Sequence, residues 1–348
     1  MRKQLLITFD YELFLGNRSG FVDSCMLEPT IKLMAILKKY GAKAVFFVDT
    51  TYLMCLRSQA KTHAVCAADF EKVAAQLCQL VAEGHFVYPH IHPHWLDAVY
   101  NPANNQWSLN NTQKYLFQNL TPEQQHQSFD GSVEILKTIL HPQFPGYKVD
   151  AFRAGGWGIQ PFKNFIPFFE KHGMKYEFSV LKDFYQFTDA QYFDFSVTPE
   201  KLIYRFNKDV CVEESAGPYI QYTISSIPVS DIVAMINKIW TKLHFKLTDD
   251  HTFHKGEGQP SRILSNVTPA NHQGKNLSNS QWERIAIELL TIVKLPLYLR
   301  FMEKNHYMHF ISHPKMITNH NLSIFDKFLE KVFNKYSIET DFHMMNPQ

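Results

Sequence analysis

Four of the 17 histidines fall within ten positions, at His85, His90, His92 and His94. Imidazole is the commonest protein ligand for a catalytic divalent metal, and closely spaced imidazoles can converge on one ion. Pro89 and Pro93 argue against a continuous helix, so convergence has to come from a turn after a strand. A polar loop with hydrogen-bonded histidines is the plainer alternative. Thr8-Phe9-Asp10-Tyr11-Glu12 carries two carboxylates that share a face if the chain stays extended. One could ligate a metal while the other serves as general base, although an Asp closing a strand is often only a cap. Arg153, followed by Ala154-Gly155-Gly156-Trp157, sets a cation where a strand ends, beside glycines that admit a close ligand. Such an Arg can orient a carboxylate through two hydrogen bonds, or simply form a surface ion pair. His313 follows an apolar run, Phe310-Ile311-Ser312.

These residues need elements to gather them. Strand-like runs lie at 5–9, 44–48, 86–88, 148–152, 174–176, 192–195 and 307–311. Helical patterns lie between them. One runs from Pro29 to Gly41 and one from Asp69 to Gly84. Others start at the capping box Thr121–Gln124, over 161–172, from Asp231 to about 243, and at a second capping box, Ser280-Gln281-Trp282-Glu283. The alternation is that of an α/β fold with parallel strands. In a parallel barrel the carboxyl ends of the strands share one face. Asp10, His90, Arg153 and His313 all sit at such ends. Residues 101–111 read as a surface loop, and 248–280 as a long polar insertion within one barrel spanning 1–348.

Lys and Arg total 35 against 33 Asp and Glu, a net charge of +2, which argues against a dedicated nucleic-acid binder. Five cysteines, an odd number with no C-x-x-C pair, read as reduced thiols. The longest apolar region, 285–301, is broken by Glu288, Lys294, Pro296 and Arg300, so no membrane span is expected. No signal peptide pattern opens the chain, and a cytoplasmic location is expected.

The motifs, in this order over residues 5–315, resemble the polysaccharide deacetylases of the NodB homology group, carbohydrate esterase family four. The resemblance implies a distorted (β/α) barrel, typically seven-stranded, and metal-dependent removal of N- or O-acetyl groups from a sugar or oligosaccharide, with zinc the expected metal. Thr8-Phe9-Asp10-Tyr11 is similar to T-F-D-D and implies Asp10 as catalytic base. His90 and His94 match the metal ligands of H-[ST]-x-x-H, with Ile91 at the hydroxyl position and His92 at a variable one beside them. Residues 44–48 resemble the A-T-F-F strand. Phe152-Arg153 through Trp157 resembles F-R-x-P-[YF] and implies that Arg153 orients the base. Ile311-Ser312-His313 resembles L-x-H and implies His313 as general acid. Residues 171–180 resemble the fourth motif region, with Glu177 in a supporting place where an Asp is common.

Tyr11 stands where the family has its metal-binding Asp, so the carboxylate ligand is Asp10, Glu12 or absent; Glu12 is the candidate. Trp95, Trp157 and Tyr11 are candidates for contact with a sugar ring, and either Trp could instead be core. The histidine and R-A-G-G-W forms resemble a subgroup associated with capsule and lipopolysaccharide biosynthesis. Two other readings stay open: a metal-independent amidohydrolase on the same barrel, and an inactive carbohydrate-binding protein.

Overall fold

Strands that are apolar on both faces are stable only where both faces are covered. Leu5-Leu6-Ile7 and Val45-Phe46-Phe47-Val48 are of this kind, and all are fully buried. The computed structural model describes residues 2–15, 18–109, 112–188, 191–248, 250–258, 274–277 and 281–347. Its main sheet has nine strands: β1 (Arg2–Tyr11), β2 (Val45–Asp49), β3 (Phe86–Ile91), β4 (Ala151–Ala154), β5 (Tyr176–Glu177), β6 (Ile203–Phe206), β7 (Tyr219–Tyr222), β8 (Tyr307–Ser312) and β9 (Ser337–Glu339). Their order is β6-β7-β5-β4-β3-β2-β1-β8, with β9 beside the start of β1. Every pairing but β6–β7 is parallel.

Register then does the gathering. Asp10 pairs with Phe47, Asp49 with His90, and His90 with Arg153, while Phe9 pairs with Ser312. The carboxyl ends of β1, β3, β4 and β8 therefore meet at one rim. The sheet curls until its ends are bridged by irregular chain: the His309 N–H donates to Ser225 Oγ (3.0 Å) and the Ile311 N–H to the Ile285 carbonyl (2.9 Å). The result is a curled nine-stranded half-barrel; the expected seven-stranded barrel is not what forms.

Eight α-helices are described: α1 (Glu28–Lys39), α2 (Thr50–Gln59), α3 (Ala64–Ala82), α4 (Pro122–Leu140), α5 (Ile166–His172), α6 (Asp231–Leu247), α7 (Leu295–Lys304) and α8 (Asn319–Lys335). Thr121 and Gln124 form the expected capping box at α4. α3 starts five residues before the expected cap, Asp69. The capping box expected at Ser280 starts no helix in the described residues: Trp282–Arg284 instead pairs antiparallel with Ser226–Pro228. That pairing carries Ile285 and Ile287 into the core, where a helix would have turned part of the run outward. The 192–195 run forms Tyr192–Asp194, in a small separate sheet with Phe184–Phe187 and Lys275–Asn276. Within 101–111 the chain forms part of a hairpin, Val99–Asn101 with Gln106–Ser108. Most of the 248–280 insertion lies outside the described residues; of the rest, Asp250 accepts from the N–H groups of Asn319 and His320 at the start of α8. One hydrophobic cluster runs from Leu5 to Met345. Among the described residues no helix is long and apolar enough to cross a membrane.

Candidate metal and acid–base centre

Alternation along β1 directs Thr8, Asp10 and Glu12 inward and Tyr11 outward. Tyr11 is fully buried and its hydroxyl donates to Gln76 Oε1 at 2.7 Å, so this ring is committed to packing against α3 and not to a sugar. Arg153, also fully buried, donates from Nη1 to Asp10 Oδ1 (2.6 Å), from Nη2 to Thr8 Oγ1 (2.7 Å) and from Nε to the Phe178 carbonyl (3.1 Å). Its guanidinium lies over Phe47, 4.2 Å from the ring centre. Burial pushes the Asp10 carboxyl up, but Arg153, with His90 and His313, outweighs it and holds the group below the usual carboxylate range. His309, on β8, faces the Thr223 carbonyl through Nδ1 (3.2 Å), leaving Nε2 to accept from Arg153 Nη2 at 3.2 Å. Burial keeps that imidazole well below its ordinary pKa, hence neutral and able to accept.

His90 ends in a defined tautomer. Its Nδ1 lies 2.9 Å from the Arg153 carbonyl and donates there, which leaves the Nε2 lone pair aimed inward. That Nε2 lies 3.1 Å from His92 Nε2, 3.4 Å from Glu12 Oε2 and 3.8 Å from Asp10 Oδ2. His92 Nε2 lies 2.6 Å from the same Glu12 oxygen, which makes no well-directed hydrogen bond. One donor atom each from Glu12, His90 and His92 thus fall within 4.8 Å of one another, all buried. Electron pairs crowded this way suit a shared cation. Two imidazoles and a carboxylate are a known donor set for a catalytic divalent ion with an open position. The second Glu12 oxygen accepts from Lys315 Nζ at 2.8 Å, and Lys315 also donates to the Leu13 carbonyl at 2.7 Å. Burial pushes Glu12 up, yet Lys315 and then His92 hold it well below the usual range. Burial lowers His90, but Asp10 and Glu12 raise it overall. The pair of carboxylates draws positive charge to this spot, whether a proton on the ring or a cation that replaces it.

His94 stands outside this triplet, contrary to the expected pairing of His90 with His94. The chain is still extended at Ile91 and His92, so residues two apart face the same side. The short 3₁₀ turn Pro93–Asp97 then swings His94 into an aromatic layer, 4.6 Å from the Tyr115 ring. Both its nitrogens lack hydrogen-bond partners among the described residues, and burial holds it well below its ordinary pKa. The His92 amide is fixed by donating to Thr51 Oγ1 (3.0 Å), whose hydroxyl donates to Asp49 Oδ1 (2.7 Å). Gly155 allows this closeness: a Cβ there would sit 2.3 Å from the Ile91 carbonyl oxygen and 2.8 Å from His92 Nδ1.

His313 enters from the opposite side. Its Nε2 lies 3.6 Å from Asp10 Oδ2 and 3.8 Å from Glu12 Oε1, and its Nδ1 3.0 Å from Glu288 Oε1. Glu288 is buried; burial raises its pKa, but His313, then Arg284, bring it below the usual range. The His313 side chain is 18% exposed, against 6% for Asp10 and Glu12 and 2% for His90, so solvent reaches the centre from the His313 side.

Trp95 is 1% exposed and packs against Tyr52 and Trp107, and Trp157 is 7% exposed with its edge toward Phe193. Both are core rings and offer no open face to a sugar. Among the described residues Glu177 makes no hydrogen bond or ion pair to a group of the centre. It accepts from the Ser179 N–H, while the Ser179 hydroxyl accepts from the Ala154 N–H on β4, and burial pushes Glu177 up to about 7. Glu288, Lys315, Thr51 and His309 escape the sequence reading. Only Glu288 leaves a signal there, as a lone charge inside the apolar run Ile285 to Leu290.

No family model matches the sequence, and no curated protein does. Among solved structures, the fold is similar to a proposed polysaccharide deacetylase from Mycobacterium smegmatis, at 12% identity over 97% of this chain and 87% of that one, with a TM-score of 0.42. It is also similar to the catalytic domain of a peptidoglycan N-acetylglucosamine deacetylase from Eubacterium rectale, at 9% identity over 100% and 92%, with a TM-score of 0.42. Over 44% of this chain and 49% of the other it is similar to a peptidoglycan deacetylase from Bacillus subtilis, at 18% identity and a TM-score of 0.24. At these scores no family membership follows, and what the chain does has to be read from its own centre.

Proposed function

We propose that this chain is a divalent-metal-dependent hydrolase that removes an N- or O-acetyl group from a sugar of a polysaccharide or its precursor. The observation that carries the reading is the facing pair Asp10 and His313, 3.6 Å apart beside the Glu12–His90–His92 triplet, each held by a charged partner. The acetyl-sugar assignment rests on the order of motifs over residues 5–315, its narrowing to a capsule or lipopolysaccharide precursor on the histidine and R-A-G-G-W forms, and a cytoplasmic location on the lack of a signal-peptide pattern.

Held by Glu12, His90 and His92, a zinc ion would supply a Lewis acid and lower the pKa of water. The chain's own groups do the rest. Arg153 takes one oxygen of Asp10 and keeps the carboxylate ionised, so that the free Oδ2 accepts a proton from the attacking water. Glu288 accepts from His313 Nδ1–H, which turns Nε2 toward the centre and stabilises the ring while it is cationic. From Nε2 the proton passes to the departing amine or alcohol. Lys315 and Thr51 fix Glu12 and His92, so the donors do not reorganise as charge develops.

The test is acetate release from N-acetylglucosamine oligomers and an O-acetylated sugar, with metal content measured on the purified protein. Turnover that chelation abolishes and zinc restores is the expected result. Metal-free turnover of amides would put the amidohydrolase in its place. Sugar binding without turnover on any acetylated substrate would leave only the binding protein.

A further inference from the structure

α6 is the one helix of the eight described that has no buried residue. Its inner side is nevertheless specified: Asn237 Oδ1 accepts from Thr291 Oγ1 at 2.5 Å, and the Trp240 ring packs at a tilt against His320, ring centres 4.5 Å apart. The outer side is apolar. Ile232, Met235, Ile236, Ile239, Leu243 and Leu247 recur at helical spacing, with exposures of 67, 57, 47, 52, 53 and 80%. Spaced by three and four residues, they form one continuous stripe along a helix about 25 Å long. No other described element covers it.

Lys238, Lys242 and Lys246 lie at i, i+4 and i+8 along one flank of this stripe, all exposed and none paired with a carboxylate among the described residues. Asp231, in the first turn, is the helix's one acidic residue. An apolar stripe bordered by lysines is what lies flat at a lipid–water boundary, apolar side chains in the acyl region and ammonium groups among anionic headgroups. A second copy of this chain would bring three like charges to the seam against a single acid.

We infer that α6 docks this protein on the surface of an anionic bilayer. It lies on the membrane and does not span it. Thr291, which holds the inner side, is three residues from Glu288, so docking sets the His313 entrance close to the headgroups. Granted the proposed activity, the sugar it receives there is one presented at a membrane surface.

Sedimentation of the full chain with phosphatidylglycerol vesicles, read by bound protein and without any turnover, tests docking independently of the proposed activity. Binding should fall steeply with salt and be weak on phosphatidylcholine. Each lysine near an anionic surface strengthens association about fivefold, so K238Q/K242Q/K246Q should lose on the order of 100-fold. I236E/I239E should lose vesicle binding and keep the wild-type melting temperature, because both side chains are already exposed. Several results would overturn the inference: no binding to anionic vesicles, equal binding to neutral ones, or a dimer in light scattering that I236E/I239E dissociates.

Discussion

Replacing Arg153 with methionine keeps most of the buried volume over Phe47 and removes the charge. Asp10 then loses a 2.6 Å partner while 4% exposed, and Thr8 Oγ1 and the Phe178 carbonyl lose their donors. Stripping one partner from a buried ion pair costs about 3–5 kcal/mol. We therefore expect Arg153→Met to unfold at lower urea concentration by that amount at pH 7, with chelator present throughout.

The dependence on pH identifies the cause. In the native chain Asp10 is held below its usual value, so its contribution is present above the unfolded pKa of about 3.9 and lost only as pH falls through the lower folded value. Without Arg153, burial dominates and the folded pKa rises above about 3.9. Protonation then favours the folded variant, and acidification from pH 7 to about 4.5 should narrow its deficit by about 1.4 kcal/mol for each unit by which the folded value exceeds about 4.5. Paired urea titrations at the two pH values measure this. A deficit that is the same at both would refute the argument, since lost packing does not titrate. A deficit under about 1 kcal/mol would refute the buried pair itself.

Other consequences are equally open to measurement. Glu12→Gln, His90→Ala and His92→Ala should each weaken zinc binding by calorimetry, whereas His94→Phe should leave it nearly unchanged; loss with His94→Phe and retention with His92→Ala would restore the motif-spaced pair. His313→Ala and, less severely, Glu288→Gln should lower turnover of a sugar amide, by about 10²–10⁴-fold for His313→Ala, the usual contribution of a general acid. An activated acetyl ester, whose leaving group departs without a proton, should be cleaved by His313→Ala nearly as fast as by the native chain. Tyr11→Phe, which removes a buried hydrogen bond to Gln76, should cost about 1–3 kcal/mol in denaturant titration and leave KM for the sugar unchanged; a raised KM would return Tyr11 to the substrate.

The inner strands are legible in the sequence because runs such as Leu5 to Phe9 and Val45 to Val48 are apolar on both faces, which few other structures accept. β6 and β7 are not, since four residues such as Ile203–Phe206 gain their partner only from a segment more than ten residues on. The rim location of Asp10, His90, Arg153 and His313 follows from where such strands end. The identity of the histidines in the triplet does not. Spacing of four suits a turn and spacing of two an extended chain, and only the backbone at Ile91 and His92 decides between them. Trp95 and Trp157 read alike as platforms or core, because burial of a ring depends on what folds over it. Glu288 reads as an interruption of an apolar run until His313, 25 residues later, is brought against it.

The adjacency of β1 and β8 also sets an order in time. Gln4 to Phe9 pairs with Tyr307 to Ser312, and the Glu12–Lys315 contact spans 303 residues. At roughly 5–20 residues per second, a ribosome needs on the order of 15–60 s to supply those partners after β1 has emerged. Through that interval one edge of β1 has no ladder along Gln4 to Phe9, and the carboxylates of Asp10 and Glu12 cannot be dehydrated at tolerable cost. The centre thus cannot close until most of the chain has been made, and contacts this distant in sequence make closure slow. A nascent or shortened chain ending before residue 307 carries an open, strongly apolar strand edge, which makes it a substrate for chaperones and a seed for aggregation.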